Sequence, residues 1–473
     1  MSDADAQIAA LTAQLAARDA ELLALRAQLD AMEKLVLALH DKLRTDSRTS
    51  SKPPSSDGPG AAPRTRPPTG LPRGGQKGHK GSHRRQSLAP DVVHDVSPTH
   101  CKRCARALCG RDPTPQRHQV LDLDERGRVV TDYRLHKLRC DGCGARTRAA
   151  LPAGVGWSPF GPRLRAWMAT LPPRFRLGRR EVVALALESF GIAVSLGAVS
   201  AHEHTASEAV RPAVTEAHVA IETSAVVHAD ETPHRDAGTT GWLWVACTTT
   251  VAFFVLAPTR GRVVLATLLG AFAGVLVTDR YSAYQHWPEA AHQACWAHVL
   301  RFFQWLAESP EPSVAEIGTD LLAASRAMLH AWNEVHRGRL SRADFDAQMP
   351  TWRAAILTPL LCGLNARNDK VQSGCAGLFD DFEQLFTFTR HPDVEPTNNR
   401  AERRIRAGVR WRKNSLGTQS ARGSRFVERL LTVSETLRMQ GRGVVTWLAQ
   451  LLQARQGVAG VVTPSLMPLH DTG

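Results

Sequence analysis

The stretch SAVVHADETPHRDAGTTGWLWVACTTTVAFFVLAPTRG, residues 224–261, decides the fold. Its first part runs apolar up to Asp230, and two further β-rich runs follow. An extended segment that ends on an acid, followed by hairpin-like strands, is one way to set a carboxylate at the edge of a central sheet. Glu231 and Asp236 lie close by and compete with Asp230 for that position.

A second stretch, LLGAFAGVLVTDRYSAYQHW (268–287), repeats the pattern, because an apolar run ends on Asp279. The whole apolar run, 263–277, is shorter than the roughly 20 residues that a membrane-spanning helix needs. It therefore predicts a buried helix followed by a strand. Taken alone, an aspartate at a strand end is more often a turn or helix cap than a ligand.

A third acid, Glu402, stands among cations in PTNNRAERRIRAGVRWRKNS (396–415). Asn399 would cap a helix and Glu402 would complete a capping box, or the helix begins earlier, near Thr397, and Glu402 is a metal ligand. The cations expected to neutralise phosphates are Arg403, Arg404, Arg406, Arg410, Arg412 and Lys413.

Together the three acids predict metal-dependent chemistry on phosphorus. Carboxylates from separate elements can bind two Mg²⁺ or Mn²⁺ ions about 4 Å apart. Such a pair activates a water or a 3′-hydroxyl and stabilises the leaving oxygen in an in-line attack. Asp230, Asp279 and Glu402 are therefore candidate metal ligands, with Glu231 and Asp236 still open for the first position.

Two C-x-x-C pairs, at Cys101 and Cys104 and at Cys140 and Cys143, predict a structural Zn²⁺ site with four thiolates. The segment between them indicates a hairpin. It is longer than the commonest spacing, and Cys109 is a spare thiol that could enter the site. A closed four-cysteine site leaves no position open for catalysis.

The N-terminus carries a heptad pattern that predicts a parallel, dimeric coiled coil over residues 1–45. An amphipathic helix docked on its own globular body is the alternative. Arg18 is the single break in the seam. The seam positions are Ile8, Leu11, Leu15, Leu22, Leu25, Leu29, Met32, Val36, Leu39 and Leu43.

Residues 46–90 are rich in Ser, Pro, Gly and cations, which predicts a linker that either binds a phosphate backbone or only tethers. Residues 160–210 predict helices, with a turn at Gly191 and a cap at Ser195. A DNA-binding helix-turn-helix and a plain helical pair both fit this pattern.

In CWAHVLR, the side chains of Cys295, His298 and Arg301 would share one helix face. A core contact or a DNA-facing patch is favoured over a metal site there, because Cys and His supply only two ligands.

The charge balance indicates a polyanionic partner. Lys and Arg number 59 against 45 Asp and Glu, a formal net charge of +14, which favours nucleic acid or an anionic membrane. No signal peptide is expected, since the first apolar positions alternate with Asp, Gln and Arg. We expect a cytoplasmic, nucleoid-associated protein without a membrane partner.

The chain resembles transposases of the insertion sequence 66 family, which belong to the DDE group with an RNase H-like core. The motifs that carry the resemblance run in order along the chain: SSKPPSSDG, GGQKGHKG, the paired C-x-x-C, HADET, TDRYSAY, CWAHVLR, NNRAERRIR and RKNSLG. The resemblance implies that Asp230, Asp279 and Glu402 are the three catalytic acids. It also implies that the largely helical stretch 307–390 is inserted into the core.

The expected fold class is multidomain α+β: an N-terminal coiled coil, a small zinc-ribbon-like module, and an RNase H-like α/β catalytic core with a helical insertion. The expected domains are 1–45, the coiled coil; 46–90, the linker; 91–152, the zinc module; 153–215, the helical region; 216–430, the catalytic domain; and 431–473, a C-terminal helix and tail.

The expected function is a DNA transposase that cleaves and joins double-stranded DNA at the ends of an insertion sequence and in a target. The expected partners are a second copy, through the coiled coil, and accessory proteins of the same element. Two alternatives stay open, a zinc-containing DNA-binding relic without catalysis and an RNase H-like nuclease without strand transfer.

Overall fold

A computed structural model of the chain describes residues 12, 15–16, 18–32, 86–415 and 417–468, and the chain divides into two compact units, 1–63 and 64–473. In the first unit, residues 18–32 form helix α1, whose side chains are all exposed. The predicted seam leucines there are more than half exposed, Leu22 and Leu29 among them. Outside the described residues lie Ile8, Leu11, Val36, Leu39, Leu43 and the linker segment 46–85.

The second unit begins with a three-stranded sheet. Strand β1 (Val92–Val96) pairs in parallel with β3 (Gly127–Leu135), and β2 (Gln116–Asp124) pairs with β3 in antiparallel orientation. Strands β2 and β3 form the predicted hairpin, so that prediction is confirmed. A two-stranded ribbon follows, formed by β4 (Lys137–Arg139) and β5 (Arg146–Arg148).

Four helices connect this sheet to the central one. Gly191 ends α3 with a φ of 61°, and the Ser195 hydroxyl caps α4 by accepting from the Ala198 amide at 3.1 Å. The predicted turn and cap are therefore confirmed. The helices are α2 (Pro162–Phe175), α3 (Arg179–Phe190), α4 (Leu196–Ala209) and α5 (Arg211–Glu222).

The central sheet has five strands in the order β10-β9-β6-β7-β8. Strands β6, β7 and β8 form an antiparallel meander, whereas β9 is parallel to β6 and β10 is parallel to β9. Helix α6 (Val263–Leu269) precedes β9, as the apolar run predicts. The strands are β6 (Val226–Asp236), β7 (Thr239–Cys247), β8 (Ala252–Ala257), β9 (Val275–Thr278) and β10 (His292–Ala294).

Strand β6 does not end on Asp230, which corrects the expectation from the sequence. Its pairing with β9 stops at His228, but its pairing with β7 continues to Asp236. The antiparallel neighbour therefore keeps the chain extended after the parallel neighbour has ended. Asp230 lies inside β6, just beyond the end of the β6–β9 ladder.

Helices follow the sheet, and β9 is buried on both of its faces. The side chains of Val275 and Val277 join the apolar core of the helices that follow, whereas Leu276 joins the core shared with β7 and the C-terminal helices. The helices between β10 and Glu402 are α7 (Trp296–Ala307), α8 (Pro312–His336), α9 (Arg342–Leu364), α10 (Asp369–Asp380), a 3-10 helix (Phe382–Phe386) and α11 (Thr387–Arg390).

Helices α12 (Asn399–Ser415), α13 (Ala421–Met439) and α14 (Val444–Arg455) complete the described part of this unit. Side chains of α13 cover the outer edge of β8. Thr432 and Thr436 accept from the β8 amides of Phe254 and Ala252, each at 3.0 Å. The free edge of the sheet is thus satisfied by a helix. Among the described residues, no helix has the length and apolar character to cross a membrane.

Candidate metal and nucleic-acid site

The register of two parallel strands brings two of the predicted acids to one level. Val226, Val227 and His228 of β6 lie opposite Val275, Leu276 and Val277 of β9. Continued by two residues, the same offset sets Asp230 opposite Asp279. Asp279 directly follows the last residue of β9, so both acids lie just beyond the carboxyl end of the β6–β9 ladder.

Asp230 lies in a strongly acidic environment. Burial, followed by the negative charges of Glu231, Asp279 and Glu402, raises its pKa to about 7. Its Oδ1 accepts a hydrogen bond from the Glu231 amide at 2.9 Å. Neighbouring acids that repel one another form a site where a divalent cation would be stabilised.

The two competing acids are engaged in structural contacts. The side chain of Glu231 forms an ion pair with Arg260 at 2.6 Å and accepts a hydrogen bond from the Tyr284 hydroxyl. Asp236 accepts from the hydroxyls of Thr418 and Ser424, each at 2.8 Å. Both carboxylates therefore stabilise the sheet and its surroundings.

Helix α12 carries Glu402 in its first turn, without the capping box. The helix begins at Asn399, so Asn399 is not the cap, and the first hydrogen bond runs from the Glu402 amide to Asn398 O at 3.1 Å. The Asn398 side chain instead donates to Ala229 O at 2.7 Å. That bond fixes the start of α12 against β6, next to Asp230.

The three acids interact electrostatically, but the described residues do not bring their oxygens into one group within 4.8 Å. Glu402 instead lies beside α7. Its Oε1 is 3.9 Å from His298 Nδ1 and 3.9 Å from the Arg301 guanidinium. The ligand atoms of Cys295, His298 and Glu402 all lie within 4.8 Å of one another. The Cys-His pair of CWAHVLR therefore has a third potential ligand.

The six predicted cations of α12 divide into two sets. Arg403, Arg406, Arg410 and Lys413 are exposed and recur at helical spacing, so they form one basic stripe along α12. Two others face the protein: Arg404 forms an ion pair with the buried Glu435 at 3.2 Å, and Arg412 donates to Pro233 O. The four cations of the basic stripe are therefore the ones whose side chains could contact phosphate groups from solvent.

A cleft of about 880 Å³ lies between the helical pair α3–α4 and the segment that joins α12 to α13. Arg179, Arg180 and Arg422 line it. Arg179 is held by an ion pair to the buried Glu203 of α4 at 2.7 Å, which ties the two helices together. The first residues of α4, Leu196 and Gly197, are exposed.

The two C-x-x-C pairs come together as predicted. The ligand sulfurs of Cys101, Cys104, Cys140 and Cys143 all lie within 4.8 Å of one another. The Sγ atoms of Cys101 and Cys143 are 3.5 Å apart, as are those of Cys104 and Cys140. Tetrahedral zinc thiolates have sulfurs about 3.8 Å apart, so this donor set fits Zn²⁺. Cys109 is exposed and is not part of this group.

Each C-x-x-C pair has the same backbone fold. The amides of Cys101 and Ala105 donate to Arg106 O and Cys101 O, and those of Cys140 and Gly144 make the equivalent bonds to Ala145 O and Cys140 O. The fold needs a left-handed residue, which is Gly144 (φ 71°) in one turn and Ala105 (φ 56°) in the other. The amides of Arg103 and Cys104 lower the pKa of Cys101 to about 6, which favours the thiolate.

Several supporting residues have no obvious signal in the sequence. Tyr284 and Arg260 hold Glu231, and Arg260 also stacks over the Tyr281 ring at 3.5 Å. Tyr284 lies in the TDRYSAY motif, which hints at a role without specifying its partner. Arg260 lies in the loop after β8, and only the folded chain brings it to Glu231.

Comparison with known proteins identifies the family. A model of the Transposase IS66 family matches residues 158–425, more than half of the chain. The chain belongs to this family. The match includes all three predicted acids of this chain, whereas the four-cysteine group lies before it. A family of unknown function (DUF6444) matches residues 2–85.

A curated relative of this chain is the uncharacterized protein y4qI of Sinorhizobium fredii (strain NBRC 101917 / NGR234). The two are 29% identical over 273 residues, which cover 51% of this chain and 50% of that protein. The chain thus spans about half the length of the relative that it matches.

Proposed function

We propose that the chain is a DNA transposase that cleaves the ends of an insertion sequence and joins them to target DNA. The observation that carries the proposal is the offset of the β6–β9 ladder, which, continued by two residues, would set Asp230 level with Asp279, beside the helix that carries Glu402 in its first turn. The IS66 family match supports a transposase. The order and directions of the five strands support an RNase H-like core.

Asp230, Asp279 and Glu402 would hold two Mg²⁺ or Mn²⁺ ions. Bound there, the ions would activate a water or a 3′-hydroxyl and stabilise the leaving oxygen. The raised pKa of Asp230 fits this role, because its carboxylate is costly until a cation offsets the surrounding negative charge. Asn398 would keep Glu402 close to Asp230 through its bond to the β6 backbone.

The basic stripe of α12 would position DNA beside the acids. Arg403 and Arg406 lie within one turn of Glu402, so a phosphate backbone on the stripe would run past the metal ligands. Two protomers would pair through α1, whose exposed leucines form the described part of the heptad seam. A dimer suits a reaction that must hold two element ends together.

A strand-transfer assay with pre-cleaved element ends tests the proposal. We expect Asp230→Asn, Asp279→Asn and Glu402→Gln each to abolish cleavage and joining while DNA binding is retained. Asp320→Asn, an exposed acid on α8, is the matched control and should keep both activities. Cleavage without any joined product would favour a nuclease, and nicking that survives Asp230→Asn would refute the catalytic assignment.

A further inference from the structure

Three potential ligands of different chemistry meet where α7 and α12 begin. Cys295 lies just before α7, His298 lies in its first turn, and Glu402 lies in the first turn of α12. One ligand atom from each of them lies within 4.8 Å of the others. A sulfur, a nitrogen and an oxygen donor thus surround one point in space.

Two of these atoms lack hydrogen-bond partners. His298 Nδ1 and Glu402 Oε1 are buried atoms, and neither has a partner among the described residues. They face each other at 3.9 Å, which is too long for a hydrogen bond. In tetrahedral zinc coordination, nitrogen and oxygen ligands 2.0–2.2 Å from the metal lie roughly 3.4 Å apart, so a shift of about half an ångström would let both atoms bind one ion. A cation between them would satisfy both atoms.

Backbone contacts hold the third ligand in position. The Cys295 amide donates to Thr278 O at 2.9 Å, which fixes the residue beside the end of β9. Its sulfur accepts from the Asn398 amide at 3.1 Å. The Asn398 side chain is itself bonded to β6, so hydrogen bonds connect Cys295, the start of α12 and β6. The ligands are therefore organised before any ion binds.

We propose that Cys295, His298 and Glu402 bind a thiophilic divalent cation, Zn²⁺, with a fourth position open to water. The mixed sulfur, nitrogen and oxygen set suits zinc, whereas Mg²⁺ selects oxygen ligands alone. The Arg301 guanidinium also lies near this point, 3.9 Å from Glu402 Oε1. The Arg301 side chain is 65% exposed, so it can move aside when an ion binds. Zinc here would engage Glu402 and oppose the magnesium-dependent reaction, a consequence that rests on the proposed function.

Metal analysis of the full-length protein tests the site without DNA or activity. After equilibration with Zn²⁺ and removal of the free ion, the wild type should retain about two zinc ions per chain, one of them in the four-cysteine site. His298→Ala and Cys295→Ser should each retain about one. Cys375→Ser removes another buried thiol, on α10, and should retain about two.

Cobalt provides a second readout, because Co²⁺ bound to a thiolate absorbs light. The difference spectrum between wild type and His298→Ala should contain the bands of a mixed-ligand site, while Cys140→Ser should remove only the four-thiolate bands. Because the His298 side chain is partly exposed, its loss should leave the fold intact by thermal unfolding. Equal zinc content in wild type and His298→Ala would overturn the proposal.

Discussion

Asp230 is the residue on which the proposed chemistry and the expected pH response both depend. Burial, followed by the charges of Glu231, Asp279 and Glu402, raises its pKa from an ordinary 3.8 to about 7. At Asp230 the folded chain therefore binds more protons than the unfolded chain between about pH 4 and 7. As the pH rises through that window, the contribution of Asp230 to the free energy of unfolding falls.

Replacement of Asp230 by Asn should remove this penalty. Without Mg²⁺, we expect the variant to be more stable than the wild type at pH 8, by a free energy on the order of 4 kcal/mol at most, and equally stable near pH 4. Urea unfolding at both pH values measures the difference. Parallel pH profiles for the two proteins would contradict the raised pKa.

Helix α12 shows how one sequence segment serves both structure and surface. Its cations look equivalent in the sequence, but the helix turns Arg404 and Arg412 towards the protein and leaves the basic stripe in solvent. The period of the helix thus separates structural from exposed arginines.

We expect the double substitution Arg406→Ala and Arg410→Ala to weaken DNA binding without destabilising the fold. Each lost phosphate contact should reduce the slope of log affinity against log salt by about 0.9. Fluorescence anisotropy at several salt concentrations measures this slope. An unchanged slope would exclude these two residues from the DNA interface.

Arg404→Ala is the matched comparison within the same helix. It removes one partner of Glu435, which is only 3% exposed, although the ion pair with Arg438 at 2.6 Å remains. We expect a loss of about 1–3 kcal/mol in the free energy of unfolding. The salt slope of DNA binding should stay at the wild-type value.

The zinc module should depend on its metal. Cys140→Ser removes one of four thiolates, and the small sheet of β1, β2 and β3 has little apolar core of its own. We expect release of zinc and local unfolding near residues 101–143. Elemental analysis and limited proteolysis check this prediction. In a chain that already carries Cys295→Ser, so that the four-cysteine site alone is counted, an unchanged zinc content after Cys140→Ser would contradict it.

The sequence predicts local elements well and long-range contacts poorly. The hairpin β2–β3, the helix and strand at 263–277, the turn at Gly191 and the cap at Ser195 follow from short-range patterns and are confirmed. The sequence predicts that β6 ends at Asp230, which is wrong. Pairing with β7 keeps the strand extended to Asp236.

In the candidate site, too, local patterns are predicted from the sequence and long-range contacts are not. Asp230 and Asp279 share a recognisable pattern, an apolar run that ends on an acid, so the sequence could offer them as candidates, with Glu231 and Asp236 as competitors for the first. The capping box fails because Asn398 binds Ala229 of a distant strand. The contact between His298 and Glu402 joins two helices far apart in sequence, and no local periodicity encodes it.

At the scale of the whole molecule, α1 should determine the association state. Its described leucines are more than half exposed, Leu22 and Leu25 among them, which is costly for a helix without a partner. Deletion of residues 1–45 should therefore shift the protein towards monomer. Light scattering checks the mass, and an unchanged mass would refute pairing through the coiled coil.

The short ladder between β6 and β9 determines where the chain should tolerate an inserted residue. One residue added between Val277 and Asp279 would turn the carboxylate to the opposite face of the sheet, although the composition would hardly change. A residue added in the exposed turn between α8 and α9, near Gly338, would be absorbed without moving either acid. We therefore expect insertions to be harmful at the end of β9 and tolerated in the turn between α8 and α9, a contrast that substitutions would show less clearly.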